Sequence, residues 1–377
     1  MKFEKLGNIA TIKTGKYDVN HSTPDGEYVF YTCAYGQFKS PTYSFEGPSI
    51  ILPGNGANVG EVFFYDGKFE AYQRTYVVQN FKADPNYIYA YFKAEWKKSL
   101  RNKQFGSATN YIRLNNLTDF SIPLPSLPDQ LHIANILSKA ENLIAQRKES
   151  IRLLDEFLKS TFLEMFGDPS TNKKNFPKGK IKDVVTEVKY GTSSPAEDEG
   201  LYPYLRMNNI TPDGYMDYSK LKFINITDEK EKEKYVVRKG DLLFNRTNSK
   251  ELVGKTGVFN EDSEMIIAGY LIRVRTNEKA NPWYLWGYLN SSHGKQTLLG
   301  MCKSIVGMAN INAQELQGIK ILIPPIELQN QFAEIVKKTE ALKCQYQQSL
   351  QELENLYGSL SQKAFRGELT INKSVSV

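Results

Sequence analysis

A long internal repeat constrains the fold of this chain more than any other feature of its sequence. Residues 117–166 and 316–365 align without a gap at an offset of 199 residues, so that Gln130 matches Gln329 and Glu141 matches Glu340. An ungapped repeat of this length is not a chance match. It predicts two similar halves that pack about a pseudo-two-fold axis.

Both copies of the repeat have the apolar spacing of a long helix. Apolar residues alternate steps of three and four from Ile133 to Met165 in the first copy, and the same steps run from Phe332 to Ala364 in the second. This heptad pattern predicts two long helices that pack against each other as an antiparallel coiled coil. Prolines precede each helix, and Gly167 and Gly367 follow, as is typical of helix ends.

Four further apolar residues widen the stripe of the first helix beyond a two-stranded seam: Ile136, Leu143, Phe157 and Phe162. Such a surplus indicates a second surface to cover, and one interpretation is a docking site for a partner protein. Burial against the second helix and the edges of the chain's own domains explains the surplus equally well.

The segments in front of the two helices are more weakly similar. Short β-rich runs separated by Gly, Asn and Pro predict strands and turns, and 86–92 and 282–289 each predict a short helix. The predicted fold class is therefore mixed α/β (α+β), with two similar globular domains separated by two long antiparallel coiled-coil helices. The predicted divisions are a first globular domain (1–125), a central helix (126–167), a second globular domain that starts with a basic linker (168–325), and a C-terminal helix with a tail (326–377).

Composition and charge exclude several classes of protein. The chain has 48 Lys and Arg against 42 Asp and Glu, and a net charge of +6 is compatible with a polyanionic partner without requiring one. No apolar run approaches the length of a membrane span, and the N-terminus lacks the apolar core of a signal peptide. Three widely separated cysteines are typical of a reduced protein. We therefore expect a cytoplasmic protein that does not bind a membrane.

The sequence contains no recognisable set of catalytic residues. It lacks the Asn/Asp-Pro-Pro-aromatic motif of an adenine methyltransferase. Gly254-Lys255-Thr256 resembles the end of a phosphate-binding loop, but the first glycine is missing and a β-like run follows instead of a helix. The three histidines have no zinc-ligand spacing. We expect no catalytic residue, no metal site and no cofactor in this chain.

The repeated segments resemble a known family. Leu-x-x-Phe/Ile-x-Ile elements lead through proline into each heptad helix, and the second helix ends in Leu360–Leu369, LSQKAFRGEL. These features, over essentially the whole chain, are similar to the specificity subunit of type I restriction-modification systems. The resemblance implies a non-catalytic DNA-binding subunit whose two globular domains each read one half of a bipartite, asymmetric target, while the helices set the gap between the halves.

The same resemblance implies partners. Besides double-stranded DNA, these are two methyltransferase subunits, and two restriction/translocase subunits in the restriction form. The apolar surplus at Ile136, Phe157 and Phe162 is the candidate docking site for the methyltransferase subunits. S-adenosylmethionine, and ATP with Mg²⁺, would belong to those partners. Two alternatives remain open: the target reader of a methylation-only complex, and, in a different class, a coiled-coil scaffold that binds proteins without DNA specificity.

Candidate DNA-binding residues lie on loops beside predicted strands, because phosphate contacts supply affinity and contacts to base edges supply sequence choice. In the second domain, Arg246, Asn248 and Lys250 follow one strand, and Arg206 and Asn208 follow another. We predict that Arg246 contacts a base or a phosphate. A solvated loop is the alternative interpretation.

The first domain has no arginine at the position that matches Arg246. Its loop contains Asn55 and Asn58, which are candidates to read adenine edges, although a tight turn explains them equally well. Lys103 and Arg113 lie in a basic and aromatic cluster and are predicted to contact phosphates. Arg74 lies in a strand-like run, where we expect a structural ion pair. The difference between the two loops predicts half-sites of different sequence.

Overall fold

The computed structural model describes residues 1–34, 36, 38–100, 110–305 and 308–371, with the backbone alone at 303–305 and 308. The chain forms two compact units. Unit 1 comprises Met1–Lys148 and Gln348–Val377, and unit 2 comprises Glu149–Gln347. Each unit therefore contains one globular domain together with part of each long helix.

The secondary structure of unit 1 begins with short strands and ends in the first long helix. The elements are, in chain order, β1 (Lys2–Lys5), α1 (Leu6–Ile9), β2 (Thr11–Thr14), β3 (Tyr28–Tyr31), β4 (Phe38–Ser40), β5 (Ser49–Pro53), β6 (Phe63–Tyr65), β7 (Phe69–Ala71), β8 (Thr75–Gln79), α2 (Pro85–Ser99), α3 (Leu114–Thr118), β9 (Ser121–Leu124) and α4 (Leu127–Phe166). A 3₁₀ turn lies at Val19–His21. Residues 149–166 of α4 belong to unit 2.

Unit 2 continues with a second set of short strands before the second long helix. The elements are β10 (Lys178–Lys180), β11 (Val185–Tyr190), β12 (Tyr202–Leu205), β13 (Lys222–Ile224), α5 (Glu229–Tyr235), β14 (Val236–Val237), β15 (Leu242–Asn245), β16 (Thr247–Asn248), β17 (Thr256–Val258), β18 (Met265–Ile267), β19 (Leu271–Thr276), α6 (Pro282–Asn290), α7 (Ser292–Met301), β20 (Lys303–Ile305), β21 (Met308–Asn310), α8 (Ala313–Gly318), β22 (Lys320–Leu322) and α9 (Ile326–Phe365). Two 3₁₀ turns lie at Ile181–Val184 and Met207–Asn209.

Three sheets of unit 2 repeat the strand order of the three described sheets of unit 1, with β14 as an added edge strand, and the described residues of unit 2 form a further sheet, β16-β21-β20. In unit 1 the orders are β2-β8-β5-β6, β4-β3-β7 and β1-β9, and in unit 2 the corresponding orders are β11-β19-β15-β17, β13-β12-β18-β14 and β10-β22. Parallel pairing of β3 with β7 corresponds to parallel pairing of β12 with β18. The predicted mixed α/β fold with two similar halves is therefore confirmed, and the repeat extends through both globular domains. The exact domain boundaries stay predictions.

A repeated glutamine ties each long helix to its own unit. Gln130 accepts a hydrogen bond from Asp84 N at 2.9 Å and donates to Pro125 O at 2.9 Å. Its repeat partner Gln329 accepts from Asn281 N at 2.9 Å and donates to Pro324 O at 2.8 Å. Both glutamines are buried. Because buried polar groups need partners, this matched set fixes the start of each long helix on the short helix that Asp84 or Asn281 caps.

Each unit builds its core around parts of both long helices. The core of unit 1 includes Ile133 and Leu137 of α4 and Ala364 of α9, packed with Trp96 of α2. The core of unit 2 includes the buried aromatic rings Phe162, Phe166, Tyr284 and Phe332. The ring centroids of Phe162 and Phe332 are 5.5 Å apart. The largest apolar core cluster of each unit therefore contains residues of the globular domain and of both long helices.

Polar contacts along the seam show that the helix segments are antiparallel within each unit. In unit 1, Glu141 of α4 accepts a hydrogen bond from Tyr357 of α9 at 2.5 Å, and Lys148, further along α4, pairs with the earlier Glu354 at 2.8 Å. In unit 2, Lys343 pairs with Asp155 at 2.6 Å. The predicted seam positions are buried or partly buried in both helices.

Candidate nucleic-acid interface

Several strand ends of unit 2 meet at one edge of its sheets. Tyr190, at the end of β11, pairs with Ile272, and Asn245, at the end of β15, pairs with Leu271. Leu205, at the end of β12, pairs with Ile267 at the end of β18. The residues that follow these strands therefore surround the turn 268–270. We call Tyr190, Arg206, Arg246 and Tyr270 the unit 2 loop face.

Arg246 is held from both sides on this face. Its backbone N–H donates to Tyr270 O at 3.0 Å, and its carbonyl accepts from Ile311 N at 2.9 Å. Its guanidinium lies 4.6 Å from the centroid of the Tyr190 ring, an attractive cation–π contact. The Tyr190 hydroxyl in turn accepts a hydrogen bond from Ala313 N at 2.8 Å. The predicted binding residue is thus partly buried and oriented, unlike a side chain on a solvated loop.

Arg206 and Asn208 begin a 3₁₀ turn on the same edge. Arg206 N donates to Asn209 Oδ1 at 2.9 Å, and the Asn208 side chain is exposed. Neighbouring Tyr204 donates from its hydroxyl to Thr192 O at 2.9 Å. Burial raises the pKa of Tyr204 to about 12, opposed by the positive charge of Arg206. This tyrosine therefore keeps its proton at neutral pH and remains a hydrogen-bond donor that supports the loop.

The other predicted residues of this loop differ in exposure. Asn248 lies in β16 opposite Ala309, and its Oδ1 accepts from Ser249 N at 2.8 Å, whereas Lys250 is exposed. Lys255, in the segment that resembles a phosphate loop, instead donates to Met207 O at 2.9 Å and Ile210 O at 2.5 Å. Burial lowers the pKa of Lys255. Lys255 therefore supports the Arg206 turn from within the unit.

Unit 1 has the same edge with different side chains. Gly54 N donates to Arg74 O at 2.9 Å, and Gly54 O accepts from Ile112 N at 2.9 Å. These bonds match those that Arg246 makes with Tyr270 and Ile311. Tyr17 joins the same edge through a bridge to Tyr72, and Asn55 through a bridge to Tyr111. We call Tyr17, Gly54, Asn55 and Arg74 the unit 1 loop face.

The predicted DNA-binding residues of the first domain differ in their exposure. Asn55 is partly exposed on the loop face, but Asn58 is only 4% exposed and donates to Cys33 O at 2.8 Å. The amide of Asn58 is therefore used inside the turn, which favours the tight-turn interpretation of this residue. Arg113 is exposed, with its guanidinium 5.9 Å from the Tyr111 ring centroid. Lys103 lies outside the described residues.

Arg74 is a further candidate for contact with DNA, although the sequence predicted that it forms a structural ion pair within a strand. It lies in the exposed turn between β7 and β8 instead of inside a strand. Tyr17, next to the same turn, stacks on His21 with ring centroids 3.8 Å apart. The matched strand pairs, Pro53 with Thr75 and Asn245 with Leu271, bring Arg74 to the place of Tyr270. The ungapped alignment of 71–77 with 268–274 sets Gln73 there instead, so the alignment alone does not point to Arg74.

The predicted partner-binding residues of α4 separate into buried and exposed ones. Phe162 is 3% exposed and packs on Phe166 and Phe332, which favours the alternative of burial within the chain for this residue. Ile136 is partly buried. Phe157 is 49% exposed, and Leu356, its match in the repeat, is 50% exposed. The two copies of the helix therefore present an apolar side chain at the same outward position.

In the described parts of the chain, no three His, Cys, Asp or Glu side chains lie close enough together to hold a metal ion. Among the described helices, none combines the length and apolarity needed to cross a membrane.

Comparison with known proteins identifies the class to which this fold and its loop faces belong. The family model described as type I restriction modification DNA specificity domain matches residues 1–153 and 173–355. The chain belongs to this family of type I specificity subunits, and the resemblance inferred from the repeated segments is confirmed.

Individual relatives support the assignment over the length of the chain. The EcoDI specificity subunit of Escherichia coli is 24% identical over 409 aligned positions, which cover 98% of this chain and 88% of the relative. The EcoKI specificity subunit of Escherichia coli K12 is 28% identical over 312 positions, covering 75% and 66% of the two chains. The type I S subunit from M. genitalium shares the fold, with a TM-score of 0.65, 15% identity and coverage of 97% and 96%.

Proposed function

We propose that this chain is the DNA-specificity subunit of a type I restriction-modification complex and has no catalytic role of its own. Each unit reads one half of a bipartite, asymmetric double-stranded target through its loop face. The observation that carries this proposal is the pair of loop faces, which have matched backbone contacts at Gly54 and Arg246 but different side chains. A repeated scaffold with unlike reading residues suits a target whose two halves differ in sequence.

The long helices set the gap between the half-sites in this proposal. Each helix has 40 residues and is therefore about 60 Å long at about 1.5 Å per residue. One turn of B-DNA is about 34–36 Å, so the helices match the scale of a target that extends beyond one turn.

The outward apolar positions of the helices support docking of two methyltransferase subunits. Phe157 in unit 2 and Leu356 in unit 1 are matched in the repeat and similarly exposed. Two equivalent positions suit two copies of one partner, since the same contact occurs twice. S-adenosylmethionine, and ATP with Mg²⁺ where two restriction/translocase subunits join, belong to the partners in this scheme.

Modified-base sequencing of genomic DNA, with and without the gene, tests the proposal directly. We expect deletion to remove one two-part, gapped adenine-methylation motif. An unchanged methylation map in cells that express the chain and the methyltransferase would refute DNA specificity and favour a protein-binding scaffold. The restriction form and a methylation-only complex are separated by whether unmodified DNA that carries the motif is restricted.

A further inference from the structure

We infer that Arg246 reads a guanine in the half-site bound by unit 2. The two terminal nitrogens of its guanidinium, Nη1 and Nη2, donate end-on to guanine O6 and N7. This inference rests on the proposed function and adds the base and the atoms that the loop face recognises.

Arg246 is held in place before any DNA arrives. Its backbone is bonded on one side to Tyr270 and on the other to Ile311, and its guanidinium lies against the Tyr190 ring. That ring is itself anchored by the hydrogen bond from Ala313 N. A phosphate contact works with a mobile cation, whereas a base contact needs donors at set positions, because the acceptors lie in one plane at a fixed spacing.

The nitrogens of the Arg246 guanidinium differ in their access to a ligand. Arg246 Nε is buried and has no hydrogen-bond partner in the protein. An approach by a ligand through Nε and one Nη atom is therefore blocked, and the outer end of the guanidinium remains. That end presents two parallel N–H donors. Arg206, which lies on the same loop face, also has a buried Nε without a partner.

The four bases differ in the hydrogen-bond donors and acceptors that they present in the major groove. Guanine presents two adjacent acceptors in the major groove, N7 and O6, whereas adenine pairs one acceptor with one donor. Cytosine offers a donor and thymine a single acceptor beside a methyl group. A rigid group with two parallel donors therefore matches guanine alone among the four bases.

The same loop contains a natural control. Lys250 lies four residues after Arg246, is exposed, and has the flexible chain typical of a phosphate contact. Loss of Lys250 removes a positive charge close to Arg246 in sequence, without removing the bidentate donor. The two side chains thus separate charge from base recognition.

The experiment compares R246K, R246A and K250A in the assembled methyltransferase complex. Genomic methylation is first mapped for each variant. We expect wild type to require a guanine in one half-site, and both Arg246 variants to lose that single requirement while the other half-site is unchanged. In binding to the wild-type duplex, both should lose about 5- to 150-fold in affinity. K250A should weaken binding and keep the whole motif.

A second measurement avoids mutation of the protein. Each guanine of the mapped half-site is replaced in turn by 7-deazaguanine, which lacks the N7 acceptor, and binding of the wild-type complex is measured. One replacement should weaken wild-type binding and leave R246A binding unchanged. This double comparison holds even if a variant is partly unfolded, because the wild-type complex reports the N7 contact by itself.

The outcomes distinguish the inference from the proposed function. A motif intact in R246K, uniform weakening at every base, no effect of any 7-deazaguanine, or a half-site without guanine would each overturn the role of Arg246 and leave the specificity function standing. If deletion of the gene removes no methylation motif, the proposed function fails, and the inference fails with it.

Discussion

Glu141 in unit 1 and Glu340 in unit 2 occupy the same position of the repeat, yet their surroundings differ. Glu141 pairs with Lys93 at 2.7 Å and accepts a hydrogen bond from Tyr357. The positions that match Lys93 and Tyr357 hold Asn290 and Leu158 in unit 2. Glu340 is accordingly partly buried near Asp155 and Lys343, and its buried Oε1 has no hydrogen-bond partner.

A second matched position shows how each unit repacked its helices. Phe162 of unit 2 corresponds to Ser361 of unit 1, and Gly287 corresponds to Ala90. A Cβ on Gly287 would lie 2.6 Å from the Phe162 ring, so the large ring and the missing side chain belong together. The repeat therefore fixes where a residue lies, while the globular domain of each unit decides what that residue contacts.

The largest effect on folding is expected from F162A. Removing this buried ring leaves a cavity among Phe166, Tyr284 and Phe332, and such truncations cost about 3–5 kcal/mol. The matched control is S361A, which removes only a small buried hydroxyl beside Tyr357 and should change stability by no more than about 1 kcal/mol. Urea unfolding with hydrogen exchange resolved by unit measures both. Equal losses in the two variants would contradict the difference in packing.

A smaller, pH-dependent effect is expected at Glu340. Burial raises the pKa of Glu340 to about 7, with a further rise from Asp155 and an opposing effect of Lys343. Because the folded chain holds this proton more tightly than the unfolded chain, the stabilisation is complete below about pH 4.5 and is lost as the pH rises through about 7. The loss is at most about 3 kcal/mol.

E340Q tests the contrast between the two glutamates. We expect the variant to abolish this loss of stability between pH 5 and pH 8 and to be more stable than wild type at pH 8. E141Q is the control, since it weakens the Lys93 pair and should not reproduce that change with pH. The measurement is urea unfolding across this pH range. A wild-type slope retained in E340Q would rule out Glu340 as its source.

The sequence predicted the shared features of the two units better than their differences. The heptad spacing and matched prolines predict α4 and α9, because apolar residues repeated at this spacing over many turns share one face only in a helix. The short helices α2 and α6 also follow from their sequence. The sequence could not decide the burial of Asn58 and Phe162 because it depends on distant partners, Cys33 in one case and Gly287 in the other. Arg74 was missed because the sequence alignment sets Gln73, one residue earlier, opposite Tyr270, and only the strand pairing corrects this shift.

The glutamine clamps provide a symmetric test with an intermediate effect. Q130A removes a buried side chain that bonds two backbone groups, and Q329A removes one that bonds three. Leaving those groups unpaired costs about 1–3 kcal/mol. We expect each variant to increase hydrogen exchange in its own unit at the start of its long helix. A loss of protection shared equally by both units would show that the clamps do not act locally.

The smallest effect on folding is expected at the outward positions, where the two units are alike. Phe157 and Leu356 are each about half exposed, so F157S and L356S should change stability by less than about 0.5 kcal/mol. If these side chains dock the methyltransferase, each single variant should lose one of two subunits and the double variant both, as native mass spectrometry measures. Full assembly in the double variant would exclude these positions from docking. If the two single variants lose the methyltransferase to different extents, the symmetry of the helices does not extend to the partner interface. The two copies of the repeat would then differ at their outer surface, as they do at Glu340 and Phe162.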